Sequence, residues 1–444
     1  MSEYPNPLLE QIFVVPESSY GALADASPDL AIRHVRAAFT YTQERAPRED
    51  KHASRGVAER ISRRKGLKYE VETYAIPSGT PGVAPDTGDL LQAHGLRVQG
   101  SSTTQVANSP APTTMSCALT NADAAQVGSA VGFLTGGEFY LRVITGNEGG
   151  LIEWVPPLPV APDIGDPIYG ATNYTPQTDP QGSVSLWRFL DGVAFAYPGC
   201  VGESWELSVS GGQEARIRFS GMGGDERFAA SDSLSANVDD EQTTIPMDHP
   251  ERFEANMILL VGQERMKILG VDLPESLLNV ERGYGENEAA SHLAGCTATP
   301  WQPVANLLGS PATGICGRIE FDGALYEITE AVLKCEEGLL MRQAFGADCP
   351  VGFSYPDRRR VHLSLTGYLS AETAGRYGKI KNFETAGVFI QAGNVPGAGL
   401  AFYAPRFEAD IPEITAEPGR ETPLKLSGQC LESEGDDEFG IIFG

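Results

Sequence analysis

Leu67-Lys68-Tyr69-Glu70-Val71-Glu72-Thr73-Tyr74 alternates apolar and polar side chains residue by residue. Successive side chains of a strand point to opposite faces, so this pattern predicts a strand with one buried and one wet face. A basic run, Arg63-Arg64-Lys65, feeds it. A second triplet, Arg358-Arg359-Arg360, feeds a second alternating strand, Val361-His362-Leu363-Ser364-Leu365-Thr366-Gly367-Tyr368. Upstream, Ala38-Phe39-Thr40-Tyr41 matches Leu325-Tyr326-Glu327-Ile328; downstream, Ile217-Arg218-Phe219-Ser220-Gly221 parallels Leu424-Lys425-Leu426-Ser427-Gly428. Order agrees as well as composition: strand, loop, basic triplet, strand, helix or loop, closing strands. That agreement points to an internal duplication.

The rest of the chain is read as short strands between turns. Residues 183–221 form a meander, with hairpin turns at Asp191-Gly192 and Gly211-Gly212. Thr87 to Leu96 predicts a short helix stopped by Gly95. The start, with Pro5, Pro7 and Pro16, reads as an extended arm over residues 1–20. Gln43 to Lys65 reads as a charged loop. The fold class is therefore mainly β with few short helices. The predicted division is a first β domain over 1–225 carrying a small β decoration at about 105–176, a β module over 232–302, and a second β domain over 303–444. Both decorations are expected to face outward, and deleting 236–302 to leave assembly possible.

The chain has 444 residues and a formal net charge of −26. Such an acidic chain disfavours non-specific nucleic-acid binding. Its seven cysteines are dispersed, odd in number and without a CxxC pair, which fits reduced thiols in a protein made in a cytoplasm. No basic-then-apolar leader opens the sequence, and no run of about 18 apolar residues would span a membrane.

Catalytic templates are missing: the sequence contains no HExxH, GxSxG, GxxxxGK[ST] or GxGxxG after a strand. Gly221-Met222-Gly223-Gly224-Asp225 reads as a turn and His292 as a structural histidine. Trp154, Trp187, Trp205 and Trp301 read as core. No catalytic residue, cofactor or metal site is expected.

Three stretches together resemble the major tail tube proteins of long-tailed bacteriophages. Leu67 to Leu96 carries Gly79-Thr80-Pro81-Gly82-Val83-Ala84-Pro85 and then Leu90-Leu91-Gln92-Ala93-His94-Gly95-Leu96. Family members show a Gly-Thr-Ala-Pro loop followed by Leu-Leu-Arg-Ala-Cys-Gly; here Gln92 and His94 replace the Arg and Cys. Leu186 to Gly221 is similar to the family's Asp-Gly hairpin and closing Phe-x-Gly strand. Ile390 to Arg406 and Leu426 to Gly444 are similar to its ending. Residues 252–301 separately resemble a small β module inserted in phage structural proteins, through Val261-Gly262-Gln263-Glu264-Arg265-Met266 and Val280-Glu281-Arg282-Gly283-Tyr284-Gly285.

The resemblance implies β-barrel or sandwich domains that join edge to edge into stacked rings in the virion tail, with genome DNA passing a lumen without specific binding. It implies partners in the tape measure, tail terminator and distal tail proteins, and an acidic lumen. Two domains per chain imply a ring trimer with pseudo-sixfold symmetry, against the alternative of a hexamer. Arg45, Arg48, Lys51, Arg55, Arg63 and Arg64 are the expected inter-ring contacts, and Phe439, Ile441 and Phe443 the expected terminal strand contact. The competing function is a tail-fibre or baseplate-type protein that binds glycans or a host surface.

Overall fold

The computed structural model describes residues 6–49, 59–107, 110–180, 182–321, 324–325, 327–369, 377–414 and 421–444. Its framework is one set of six antiparallel strands and, later in the chain, a second set. The first is β1 (Gln11–Pro16), β2 (His34–Pro47), β3 (Arg60–Tyr74), β4 (Val184–Leu190), β5 (Val193–Ser210) and β6 (Arg216–Gly223). The second is β7 (Arg318–Phe321), β8 (Ile328–Glu336), β9 (Arg360–Tyr368), β10 (Ala386–Ala392), β11 (Leu400–Ala409) and β12 (Pro423–Cys430). Pairing runs β1-β4-β5-β6-β3-β2 in the first set. It runs β7-β10-β11-β12-β9-β8 in the second, which is the same order.

Register repeats as well as order. Tyr69 faces Phe39 and Gly221 across the neighbouring strands, as Leu363 faces Leu333 and Gly428. The register shifts between His34 and Arg36 in β2, and between Ile328 and Glu330 in β8. Gly221 and Gly428 recur for a steric reason: a Cβ at the first would collide with the Val201 carbonyl oxygen, and at the second with that of Glu408.

The sets join through strand pairing. Residues 204–210 of β5 pair with 330–336 of β8. The strands β2-β3-β6-β5-β8-β9-β12 therefore make one continuous antiparallel sheet. One face is the core, where Tyr69, Val71, Phe219, Trp205, Leu207 and Leu363 belong to a single cluster. The other face carries Glu70, Glu72, Arg218 and their neighbours, all at least partly exposed.

Several expectations about local structure are corrected. Gly221 to Gly223, read as part of a turn, end the strand β6. By the register, Phe39 is equivalent to Leu333, so 38–41 matches 332–335 and not 325–328. Residues 11–16 are not an arm. They form β1, and Ile12, Phe13, Val14 and Val15 are all buried, in alternation between two clusters. A strand covered on both faces shows a continuous apolar run, with no alternation to mark it. The charged stretch 43–65 is not all loop either, because 43–47 and 60–65 are paired strand. There the ribbon has left the core, so no apolar face remains to reveal it.

The predicted helix is α1 (Gly88–Ala93), closed by Gly95 with φ of +80°. His94 is wholly buried against Phe219, at 4.9 Å between ring centroids. Its Nδ1–H donates to the Leu90 carbonyl at 2.7 Å. A side chain at Gly202 would strike the imidazole, so Gly202 makes room for it. Burial, opposed by hydrogen bonds at the Leu90 and Ser220 backbone, lowers the His94 pKa to about 4.

Two small barrels complete the fold. One uses Thr104–Gln105, Ser116–Ala118, Ala130–Thr135, Glu138–Glu148, Leu151–Val155 and Pro167–Gly170. The other uses Asp232–Ser233, Thr244–Pro246, Ile258–Val261, Glu264–Asp272, Leu277–Glu281 and Thr297–Pro300. Spatial order is first, sixth, third, fourth, fifth, second in both. In both, a bridge links the first strand to the second, Val106 to Leu119 and Leu234 to Met247. In the second barrel Glu264 accepts from Arg282 and His292, each at 2.7 Å. Burial alone would raise that carboxylate; Arg282, His292 and the Ala290 and Gly283 N–H groups hold it at about 2. The expected tryptophan core holds for Trp154, Trp187 and Trp205, while Trp301 is only half-buried beneath the Arg265 guanidinium.

Neither barrel is a detachable knob. Phe139 and Leu141 of the first pack with Phe389 and Ala401 of the second strand set and with Ile442 of the terminal strand Gly440–Phe443. Gln391 reinforces that contact, donating to the Phe139 carbonyl at 2.8 Å and accepting from the Leu141 N–H at 3.0 Å. The second barrel shares one cluster with Phe13, Trp187, Phe189 and Ala194 of β1, β4 and β5. Deleting 236–302 with a Gly/Ser bridge bares those aromatics. The expected product binds a hydrophobic dye and aggregates in size-exclusion chromatography; a monodisperse product with unchanged melting refutes the shared core.

A pH dependence follows from His94. The unfolded chain takes up a proton near pH 6.5 that the folded chain refuses until about 4. The His94 contribution to stability therefore falls as pH falls through that window, by about 1.4 kcal/mol per pH unit or roughly 3 kcal/mol in all. Burial raises the Asp86 and Glu337 carboxyls, which contribute with the opposite sign. The stability difference between wild type and His94→Gln, from denaturant titrations at pH 7 to pH 4, should therefore carry the His94 slope.

Candidate assembly surface

Beyond the Tyr41·Leu67 pair, β2 and β3 run on as a two-stranded ribbon to Pro47·Arg60. Arg45, Arg63 and Arg64 are exposed on it. The ribbon is extended at Arg48, whose N–H donates to the Glu59 carbonyl at 2.9 Å and whose guanidinium pairs with the Glu59 carboxylate at 3.3 Å. Lys51 and Arg55 lie outside the described residues. Arg63 and Arg64 line a groove with Glu44, Ser62 and residues 346–348. Lys65 crosses it, donating its N–H to the Asp348 carbonyl at 2.8 Å and its ammonium to the Asp348 carboxylate at 2.8 Å. The Lys65 hydrogen bond draws the Asp348 carboxyl below its usual range. Burial and the nearby Asp225 and Asp348 push the Cys349 thiol up to about 12, which leaves it protonated and a poor nucleophile.

The terminal residues take a different place. β13 (Gly440–Phe443) lies between β11 and the strand Thr172–Pro176. Phe439, Ile441 and Phe443 are buried in the main core of their own chain, with Phe439 edge-on to Trp205 at 5.2 Å. The structure therefore separates them from the basic ribbon.

The triplet Arg358-Arg359-Arg360 explains how that terminus is held. Arg359 is mostly buried and pairs with Glu337 and Glu438, each at 3.2 Å. It also donates to the Gln177 carbonyl at 2.6 Å. Burial opposes its charge, but Glu337 and Glu438 raise its pKa above the usual arginine value. Sequence reading paired this triplet with 63–65 as a strand entry; its role as a clamp on residues 436–438 was invisible without the partners.

Sheet edges are the other feature that sequence could not locate. β8 has β9 on one side and β5 on the other. Its counterpart β2 pairs with β3 alone among the described residues. β11 is counterpart to β5, and residues 410–414 follow it without strand pairing of their own. Asp410 N–H still reaches the Ser427 carbonyl at 2.8 Å, so this segment starts in line with the sheet. Ile411 is 50 % and Ile414 43 % exposed. Among the described residues no three His, Cys, Asp or Glu side chains gather as a metal site, and no helix is long and apolar enough to cross a membrane.

Removing the Arg359 guanidinium strands Glu337 and Glu438. Arg359→Met should cost about 3–5 kcal/mol, the usual penalty for breaking a buried pair. It should also open residues 431–438 to limited proteolysis. Wild-type melting and cleavage kinetics would show that the clamp does not hold the terminus.

The sequence model of a family described as phage tail tube protein matches residues 9–429, a span that runs from before β1 to the last residue but one of β12 and takes in both barrels. No curated protein matches the chain. The chain belongs to the phage tail tube protein family and is by that membership a structural component of the phage tail.

Proposed function

We propose that copies of this tail tube family member join edge to edge into rings, and that the rings stack into the tube through which genome DNA is delivered. The observation that carries this is the β5·β8 pairing. Two strand sets of the same order meet within one chain by the contact that separate copies would repeat. The outer edge of β2 is the counterpart of β8, and residues 410–414 follow the counterpart of β5. Unpaired edges recruit further strands, and a closed ring removes them.

Each chain supplies two tube-type domains, 1–225 with its barrel and 303–444, with the 232–302 barrel between them. Three chains then supply six domains, giving a trimeric ring with pseudo-sixfold symmetry. The basic ribbon, with Arg45, Arg48, Arg63 and Arg64 together with Lys51 and Arg55 beyond its described part, makes ring-to-ring contacts against acidic neighbours. The role is structural, not catalytic. Other tail proteins, including the tape measure, tail terminator and distal tail proteins, meet the tube at its lumen and ends. The protein is made in the host cytoplasm and resides in the virion tail.

Cryo-electron microscopy of assembled tubes should show three chains per ring, with β2 of one copy beside residues 410–414 of the next. Six chains per ring would overturn the two-domain proposal. Arg45→Glu, Arg48→Glu and Lys51→Glu together should shorten tubes and raise their salt sensitivity while leaving melting unchanged. Each exposed pair is worth about 0–1 kcal/mol, so only the repetition around a ring makes the loss visible. Wild-type tube length and salt resistance would remove the ribbon from the stacking contact.

A further inference from the structure

The open face of the seven-stranded sheet has a charge pattern that the net charge of −26 does not foreshadow. One row of directly opposed residues crosses all seven strands: Arg36, Glu72, Arg218, Glu206, Lys334, His362 and Gln429. Its charges alternate in sign through Lys334. The rows beside it add Lys68, Arg216, Arg360 and Lys425 against Glu70, Glu330 and Glu336, so this face carries no excess of acid. Neutral hydroxyls fill much of the remainder, with Ser204 opposite Ser220 and Ser364 opposite Ser427.

Three of the cations, Arg216, Arg218 and Lys334, are tied to carboxylates on neighbouring strands or nearby on their own. Arg216 Nη1 lies 2.7 Å from Glu72 Oε1, and its guanidinium also covers the Tyr74 ring at 5.4 Å. Arg218 Nε donates to Glu70 Oε1 at 2.9 Å, with a second bond from Nη2. Lys334 Nζ lies 2.6 Å from Glu336 Oε1. A free guanidinium fork grips phosphate bidentately, whereas one already bonded to a carboxylate has fewer N–H groups to offer.

We propose that this face meets the DNA duplex and is kept from gripping it by cross-strand ion pairs, not by an excess of acid. It rests on the proposed edge-to-edge ring, and takes the sheet that the β5·β8 contact makes continuous as the wall of its lumen. A strongly acidic wall would repel the duplex and an unpaired basic wall would hold it; the paired wall does neither. On this reading the lumen wall is charge-compensated, where the resemblance implies an acidic one. Glu70 and Glu72 are the residues that mask Arg216 and Arg218.

The test uses the full chain and a fluorescently labelled linear duplex, followed by anisotropy over a NaCl series. Wild type should show little binding even at low salt. Glu70→Gln with Glu72→Gln should bind at least tenfold more tightly at low salt. Its log K against log[salt] should steepen by about 2, since each phosphate contact contributes about 0.9 to the slope. Adding Arg216→Gln and Arg218→Gln should return the wild-type behaviour. If the double variant melts early, Glu206→Gln, in the alternating row, is used in its place with Arg218→Gln as its reversal. Variants that fold and bind duplex no better than wild type overturn the masking role. An image of the tube with this face turned outward overturns the lumen placement instead, whatever the anisotropy shows.

Discussion

The pairing of residues 204–210 with 330–336 is the contact on which the rest of the molecule depends. β5 can make it because it is long enough to serve two sheets. Its first part lies beside β4, and its second part lies between β6 and β8. The strand turns from one layer to the other near Gly202, where β5 and β6 slip in register and where His94 fills the space that a side chain would need. Gly221 opposite lets β6 approach the Val201 carbonyl. Backbone hydrogen bonds thus carry the sheet across the boundary between two strand sets. The core below is continuous as well, since Trp205, Leu333 and Phe439 belong to the same cluster. Two sets that share a sheet and a core have little freedom to hinge, which suits a wall element better than a mobile module.

The strands β1 and β4 of the first set, and β10 and β11 of the second, carry buried apolar residues on both faces and must be covered from both sides. Each strand set has its second face covered by a small barrel. The two barrels share strand order and closing bridges, yet they enter the chain at different points relative to the sets. The first is inserted between α1 and β4 but packs on the strands of the second set; the other follows β6 and packs on the first set. The first barrel therefore crosses from one set to the other and reinforces the join. Both contacts are aromatic-rich, so the barrels contribute to the cores beneath them as well as to the outer surface.

Charge is distributed with the same economy. The clamp at Arg359 and the Glu264 site consume buried charges to fix a terminus and a barrel, with every carboxylate partnered. On the open sheet face, opposite charges are interleaved across strands. The chain's acid surplus must therefore reside on other surfaces, since this face has none.

The sequence by itself determined that the chain is mainly β and that two stretches, around 67–74 and 361–368, are equivalent strands. Alternation survives in sequence wherever a strand has one dry face and one wet face, and both stretches do. It also fixed α1 and its glycine stop, and the glycines that close β6 and β12. Only the tertiary structure revealed β1, whose faces are both buried, and the ribbon beyond Tyr41, whose faces are both wet; neither has the contrast that makes a period. Pairing partners were likewise out of reach, because a strand's sequence records which of its faces is dry and says nothing about which backbone lies along its edge. For that reason the candidate cations could be named as a group, while the burial of Phe439, Ile441 and Phe443, the identity of the barrels and the alternating row from Arg36 to Lys334 emerged only once residues from separate strands stood side by side.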